Sequence, residues 1–401
     1  MRCENRTQPL RELADIQTGP FGSQLHKEDY VAMGTPIVTV EHLGNRTFTE
    51  QNLPKVSDND KERLKKYILS TGDIVFSRVG SVDRCSYVDE RHNGWMFSGR
   101  CLRVRPTQDI DSLYLYYYFC LESTQQFVRN IAVGATMPSI NTKLLGEVPI
   151  NAPDIHIQKK ISGILSSIDD KIELNNRINE NLERQAQAFY RELFIDNADP
   201  EWMQGTVSDL GTVVGGSTPS KSKPEYYTDH GIAWITPKDL SVNKAKFISH
   251  GENDITELGL NNSSATIMPE GTVLFSSRAP IGYIAIAGGE VTTNQGFKSV
   301  IPKPEIGTAF VYYFLKQNLP VIEGMASGST FKEVSGSTMK RVPAVIPDFT
   351  TLMRFNNFCE PIFVQQKILE EQNRLLTQLR DTLLPKLMSG EIDVTNIRYK
   401  A

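Results

Sequence analysis

The chain has 401 residues, 39% of them hydrophobic and 22% charged, a balance that excludes a disordered protein and predicts two or three folded domains. No run of about 18 apolar residues occurs, and Met1-Arg2-Cys3-Glu4-Asn5-Arg6 has no apolar signal core, so neither a membrane span nor a secretory leader is expected. The formal net charge is −4, and residues 1–150 carry 18 basic and 18 acidic side chains, so charge alone argues for no nucleic-acid partner.

Residues 1–152 read as a mixed α/β domain rich in Gly, Pro, Ser and Thr. Short β-branched runs bounded by turn residues, Pro36-Ile37-Val38-Thr39-Val40 and Asp73-Ile74-Val75-Phe76, predict strands, and Ser112–Asn130 predicts a helix. Residues 153–197 predict one long helix. From Gln158 to Phe194 there is no proline, and Ile161, Leu165, Ile168, Ile172, Leu182, Ala186, Phe189 and Leu193 recur along one seam, interrupted by Asn175 and Asn179.

Residues 198–347 predict a second mixed domain, with strands at Thr272-Val273-Leu274-Phe275 and Tyr283-Ile284-Ala285-Ile286 and a helix at Thr308–Gln317. Residues 348–401 predict a second long helix and a C-terminal tail. Its seam holds Phe355, Phe358, Ile362, Leu369, Leu376, Leu383 and Leu387, with Asn373 among them, while Pro361 and Pro385 predict a kink or a stepped end. At ~1.5 Å per residue each helix would be on the order of 55–60 Å long.

The order of these elements repeats. A shift of 197 residues sets Leu13 on Leu210, Gly19 on Gly216, Tyr30 on Tyr227, Gly34 on Gly231 and Leu43 on Leu240. A shift of 199 sets Gly72 on Gly271 and Phe76-Ser77 on Phe275-Ser276, and one of 194 carries Gly134 onto Gly328, Asn179 onto Asn373, Leu182 onto Leu376 and Leu193 onto Leu387. The fold class is therefore α+β: two globular mixed α/β domains separated by two long antiparallel coiled-coil helices, in a pseudo-two-fold internal repeat. Ile161, Ile168, Ile172, Asn179 and Leu182 would pair with Ile362, Leu369, Asn373, Leu376 and Leu383, the asparagines fixing register. Each stripe would be buried on the other helix, and the acidic excess of residues 151–200 would lie on the exposed side. Such a pair acts as a ruler between two domains, which suits reading two separated stretches of a linear polymer.

No catalytic constellation is visible. An Asn/Asp-Pro-Pro-aromatic methyltransferase motif and a GxxxxGK[ST] phosphate loop are both missing, and Pro153-Asp154 with Asp169-Asp170-Lys171 lacks the clustered carboxylates that a Mg²⁺ nuclease needs. The six histidines show neither metal nor triad spacing, and no cofactor is expected. Five widely spaced cysteines (Cys3, Cys85, Cys101, Cys120 and Cys359) without CxxC point to reduced thiols and a cytoplasmic location.

Distinctive stretches on the first long helix are Ile168-Asp169-Asp170-Lys171-Ile172-Glu173-Leu174-Asn175-Asn176-Arg177-Ile178-Asn179-Glu180-Asn181-Leu182-Glu183 and Ala186-Gln187-Ala188-Phe189. Others are Leu379-Arg380-Asp381-Thr382-Leu383-Leu384-Pro385-Lys386-Leu387-Met388-Ser389-Gly390-Glu391-Ile392, Thr71–Gly80, Gly134–Val148 and Thr293-Asn294-Gln295-Gly296-Phe297. On these residues rests a resemblance, over nearly the whole length, to the specificity subunits of type I restriction–modification enzymes. It implies two target-recognition domains, each reading half of a bipartite double-stranded DNA sequence, with the helices as spacer. It also implies a non-catalytic chain on which two methyltransferase subunits and the restriction/translocase subunits assemble, without a membrane.

DNA readout needs polar and basic side chains on loops able to enter a groove. In the first domain these are Thr18, Phe21, Ser23, Gln24, Ser77, Arg78, Arg84, Thr136, Ser139, Asn141 and Lys143. In the second they are Ser217, Thr218, Ser220, Lys221, Lys238, Ser277, Arg278, Asn294, Gln295, Ser329, Thr330 and Lys332. The competing expectation is a two-headed coiled-coil protein adaptor that reads no DNA.

Overall fold

In the computed structural model, which describes residues 6–20, 24–328 and 332–396, both globular domains are closed by the same device. Arg6–Pro9 pairs antiparallel with Pro149–Ala152, and Met203–Thr206 pairs antiparallel with Pro343–Ile346. Each ribbon brings the entry and exit of its domain side by side, so that a long helix leaves from where the domain began.

The chain divides into two compact units, and each draws on both repeats. Unit 1 is Met1–Ile172 with Leu375–Ala401; unit 2 is Glu173–Arg374. In unit 1 an antiparallel sheet runs in the order Ala14–Thr18, Cys101–Pro106, Ile74–Ser77, Cys85–Tyr87. A second sheet orders Tyr30–Val31, Lys55–Val56, Thr35–Val38 and Met96–Phe97, the last pair parallel. Unit 2 repeats the first sheet as Gly211–Gly215, Lys298–Pro302, Val273–Ser277 and Ile281–Ala287, and adds Phe247–Ile248 at its edge. Its second sheet orders Tyr227–Thr228, Asn253–Ile255, Ile232–Ile235 and Thr292–Thr293, again ending on a parallel pair. The strands Ile74–Ser77 and Val273–Ser277 are buried at every position, which explains their unbroken apolar runs without polar alternation.

The helix expected at Ser112–Asn130 is two helices, Ser112–Phe119 and Glu122–Ile131, divided where Leu121 becomes extended. The first is buried nearly all round (Tyr114, Leu115, Tyr116, Tyr117, Phe119), whereas the second buries Thr124 and Val128, so the break separates an interior helix from an amphipathic one. The helix Thr308–Gln317 has the expected bounds and is likewise buried from Ala309 to Leu315.

The first long helix spans Ile155–Arg191 (37 residues) and ends in a wider turn at Glu192–Asp196; the second spans Phe349–Ser389 (41 residues). The second runs without interruption through Pro361 and Pro385. Both prolines are exposed, where water can take the carbonyl that each leaves unbonded.

Within unit 2 the two helices run in opposite directions. Asn175 Nδ2 donates to Asn373 Oδ1 at 2.9 Å, Asn373 Nδ2 donates to Asn176 Oδ1 at 2.7 Å, and Gln366 Nε2 donates to the Asn179 carbonyl at 3.3 Å. The cross-helix partners of Asn373 are thus Asn175 and Asn176 and not its repeat mate Asn179.

The apolar stripes have more than one partner, in contrast to the expectation from sequence. In unit 1, Ile161 and Leu165 join Phe76, Tyr114, Tyr117 and Phe119 in one core with Leu384, Leu387 and Met388; Ile168 is buried, and Ile172, Leu376 and Leu383 are half-buried. In unit 2, Ala186, Tyr190 and Leu193 meet Phe310, Tyr313, Phe314, Phe355 and Ile362, with Leu369 buried and Asn179, Leu182 and Asn373 half-buried. In each unit the aromatic helix of the domain packs into this core, because the seam carries more apolar surface than one facing helix covers. The acidic side of the first helix is not wholly exposed either: Asp169 is buried and Glu183 half-buried. Among the described residues no helix is long and apolar enough to cross a membrane, no group of His, Cys, Asp or Glu is placed to hold a metal ion, and Cys85, Cys101, Cys120 and Cys359 are free thiols.

Candidate nucleic-acid interface

In unit 2 four segments far apart in sequence converge at one end of the larger sheet. The Ser217 N–H donates to the Thr293 carbonyl at 2.9 Å, the Ser217 carbonyl accepts from Trp234 Nε1 at 3.0 Å, and the Thr218 hydroxyl donates to the Gln295 side chain. The Ser277 N–H donates to the Gly296 carbonyl at 2.7 Å, and the Ser277 carbonyl accepts from Val334 at 3.0 Å. Arg278 lies 3.4 Å from one oxygen of Glu333, and Lys298 lies 3.7 Å from the other. Lys298 also donates to the carbonyls of Gln295 and Phe297, both at 3.2 Å. Desolvation depresses the Lys298 ammonium pKa, with Glu333 opposing that and Arg278 adding to it.

Unit 1 repeats the frame with other polar groups. The Gly19 N–H donates to the Cys101 carbonyl at 3.2 Å, and the Arg78 N–H donates to the Arg100 carbonyl at 2.8 Å. The Arg78 guanidinium donates to the Gly99 carbonyl at 3.1 Å, and the Arg78 carbonyl accepts from Ile140 at 2.9 Å. These bonds set Gly19 and Arg78 against Cys101 and Arg100 and set Ile140 against Arg78, with Thr18 and Ser139 next to them in sequence and Thr136 exposed on the loop that leads to Ser139.

Both frames need a glycine at the crossing. A Cβ on Gly19 would lie 2.2 Å from the Ser98 carbonyl oxygen, and one on its repeat mate Gly216 would lie 2.0 Å from that of Asn294. We expect Gly216→Ala to cost about 1–3 kcal/mol by overpacking and to part Thr218 from Gln295. Gly215→Ala, whose Cβ would only touch Lys298 at 4.0 Å, should be near neutral. Thermal unfolding of the two variants side by side checks the contrast.

Several sequence candidates have other employment. Ser77 and Ser277 are buried, their hydroxyls donating to the carbonyls of Val79 (2.7 Å) and Gly296 (3.1 Å), which withdraws both from a groove. They fail because each ends a strand that is covered on both faces. Arg84 donates to the Leu43 carbonyl, Asn141 caps the helix Thr142–Gly146 through the Leu144 N–H at 2.9 Å, and Ser139 donates to the Val133 carbonyl at 3.1 Å. Gln24 accepts from the Tyr67 hydroxyl at 2.6 Å, and Lys238 pairs with Glu252 at 2.5 Å. Ser220 bonds Ser222 at 2.9 Å on the turn beyond Thr218, and Asn294 accepts from the Gly296 N–H at 2.8 Å. Lys143, Lys221, Gln295 and Lys332 are exposed. Phe21, Ser23, Ser329 and Thr330 lie outside the described residues.

Sequence reasoning missed Arg100, Lys298 and Glu333. Arg100 follows the turn glycine Gly99, and Lys298 directly follows Thr293–Phe297, so adjacency to a marked loop was the available signal. Glu333 had none, because its importance depends on two cations 55 and 35 residues away in sequence.

Two mixed α/β heads, each with polar loops on a glycine-pinned frame and each leading into a helix of several tens of residues, define a tandem-repeat protein with two loop-bearing surfaces. The type I restriction modification DNA specificity domain matches residues 4–184 and again residues 200–384, and the chain belongs to that family. It is 40% identical over 191 residues to the type I restriction enzyme MjaIX specificity subunit of Methanocaldococcus jannaschii, a match covering 45% of this chain and 44% of that protein. It is 25% identical over 430 residues to the type I restriction enzyme HindI specificity subunit of Haemophilus influenzae, covering 87% and 92% respectively. The fold is similar to the crystal structure of a type I restriction-modification S subunit from M. genitalium, with a TM-score of 0.63, 16% identity and 96% of each chain covered.

Proposed function

We propose that this chain is a non-catalytic, sequence-specific DNA-binding subunit of a type I restriction–modification enzyme that reads a bipartite target. Residues 1–152 and 198–347 each read one half, and the helices within 153–197 and 348–401 set the gap between them. The observation that carries this reading is one loop frame built twice with different polar groups on it. Thr18, Arg78, Arg100 and Thr136 on the first frame, and Ser217, Thr218, Arg278, Gln295 and Lys298 on the second, offer donors of the kind that contact base edges and phosphates. Two different readers on equal scaffolds suit an asymmetric target, and a helix pair of constant length suits a constant gap.

Docking of two methyltransferase subunits, and of the restriction/translocase subunits, belongs to the same reading. Leu174, Ile178, Val364 and Ile368 on the helices of unit 2, and Leu375 and Leu379 in unit 1, are exposed large apolar side chains of the kind that mark protein contact surfaces.

The test is co-expression with the cognate adenine methyltransferase, followed by methylation-aware genome sequencing. One bipartite motif with a constant gap is expected. Exchanging residues 1–152 should change one half of the motif, and Arg278→Ala should weaken methylation through the other half by ~10- to 100-fold, the loss of one good base contact. An intact complex that methylates no defined motif overturns the proposal, and retained partner binding in that case favours the adaptor.

A further inference from the structure

Each unit holds a buried polar contact involving its domain and a long helix, and the two contacts are wired oppositely. In unit 1 the Tyr117 hydroxyl donates to Asp169 at 2.7 Å, and Arg380 closes on the other oxygen of that carboxylate at 2.9 Å. Asp169 is 6% exposed. The acid comes from the first repeat, and its arginine comes from the helix of the second.

In unit 2, Tyr313, which is Tyr117 shifted by 196, donates to Glu183 at 2.9 Å. The same carboxylate takes Lys316 at 2.8 Å and pairs with Lys246, whose side chain is 6% exposed and also donates to Gln366 at 2.7 Å. Here the domain belongs to the second repeat, and the acid arrives on the helix of the first. A third contact, Asn175 to Asn373, also joins the two repeats within unit 2.

The repeat register gives what each group would face if two identical repeats paired. A shift of 194 carries Ala186 onto Arg380, Glu183 onto Thr377 and Asn175 onto Leu369. Two first repeats would set Asp169 against Ala186. Two second repeats would set Lys246 and Tyr313 against Thr377, Arg380 against Phe363, and Asn373 against Leu369 and Glu370. Each case buries a charge or an amide without its partner, a heavier penalty than the same groups incur when exposed. The apolar seam distinguishes less sharply: Leu182 and Leu376, like Leu193 and Leu387, are the same residue in both repeats, while Ile161 and Phe355, or Phe189 and Leu383, differ in size and shape but not in charge.

We propose that these polar contacts encode pairing, so that each repeat accepts the helix of the unlike repeat and rejects a second copy of itself. The surface between repeats then fits one partner, the other half of the same chain, and like halves of two chains do not exchange. Each contact joins the two repeats, so either kind of like pair forgoes all three: Arg380 loses Asp169 in a pair of second repeats, and Glu183 loses Lys246 and Lys316 in a pair of first repeats.

The test uses the full-length chain with a protease site placed in the exposed stretch Asn197–Glu201 and cut after folding. The cut protein is unfolded in urea and refolded, and native mass spectrometry counts the pairs. Unlike pairs should dominate, with like pairs on the order of one in a hundred or fewer, as expected when a buried charge loses its partner. In the chain carrying Glu183→Thr and Asn175→Leu, Lys246, Tyr313 and Asn373 of the second repeat meet Thr and Leu at these two positions in either partner. Its self-pairs should rise on the order of tenfold or more while first-repeat pairs stay rare. Arg380→Ala should do the converse. Like pairs at their statistical share in the unaltered sequence, or unchanged by these substitutions, overturn the proposal. So does a failure of the cut halves to re-pair, since the contacts then do not direct pairing.

Discussion

Glu183→Ala is expected to destabilise unit 2 by about 3–5 kcal/mol, because it removes one partner of a buried ion pair and leaves the other behind. Lys246 reaches this carboxylate from the domain and lies with its ammonium 4.3 Å from the Phe363 ring centroid, beside the Tyr313 hydroxyl at 3.2 Å. Burial pushes the Lys246 pKa down, and Glu183 is the main group opposing that, so without it a buried ammonium is held only by Gln366, Tyr313 and the rings. Glu370, which accepts the backbone N–H groups of Lys246 (2.8 Å) and Phe247 (3.0 Å), has its own carboxyl pKa raised by burial and is a poor substitute.

The same contact predicts acid sensitivity of a definite sign. Burial would raise the Glu183 pKa, but Lys246 and Lys316 outweigh it and hold the carboxyl at about 2. A carboxyl depressed by folding contributes stability that is present above its ordinary pKa and is lost as pH falls toward the folded value. Unit 2 of the unaltered protein should therefore weaken between the ordinary carboxyl range and about pH 2, and the Glu183→Ala variant should lose that part of its pH dependence. Urea unfolding across that window, with hydrogen exchange to localise the change to residues 173–374, is the measurement. Equal stability of the variant and the parent at neutral pH would contradict the account.

Phe355→Ala should cost about 3–5 kcal/mol by leaving a cavity in the same unit. Phe355 has no exposed surface, and its ring centroid lies 5.2 Å from Phe194, 5.7 Å from Tyr190, and 6.0 Å from both Phe189 and Tyr313. It is the ring at which the first long helix, the second long helix and the domain helix Thr308–Gln317 meet, so no single element can collapse to fill its place. Phe349, one and a half turns earlier on the same helix, is 62% exposed, and Phe349→Ala should fall within about 0.5 kcal/mol of the parent. Similar costs for the two would show that burial is not what distinguishes them. Urea titration of both variants makes the comparison.

The long helices and the aromatic helix Thr308–Gln317 are legible in sequence because helix formation answers to a period of a few residues, which a local window contains. The repeat is legible for the same reason at longer range, since Gly19 and Gly216 or Asn179 and Asn373 recur in order. The break at Leu121 was not legible: Tyr114–Phe119 and Thr124–Val128 are both helical patterns, and only the depth at which each is buried separates them. In the loops, sequence marked the segments around Thr18, Arg78, Ser217, Arg278 and Gln295 as candidates for DNA contact from their polar residues beside turns. It could not tell that Ser77 and Ser277 face inward while Arg100 and Lys298 join the frame, because inward and outward at a strand end are decided by what covers the sheet.

What the amino-acid sequence determined by itself is therefore the repeat: two similar mixed domains, each leading into a long amphipathic helix, with local pattern as the physical cause. What only the tertiary structure decided is which groups meet. Asp169 finds Arg380 211 residues away, Glu183 finds Lys246 and Lys316, and Asn373 bonds Asn175 although Asn179 is its mate by repeat. A charge or an amide on a helix reads alike whether it meets water or a partner, and the difference lies in desolvation, which depends on everything packed around it.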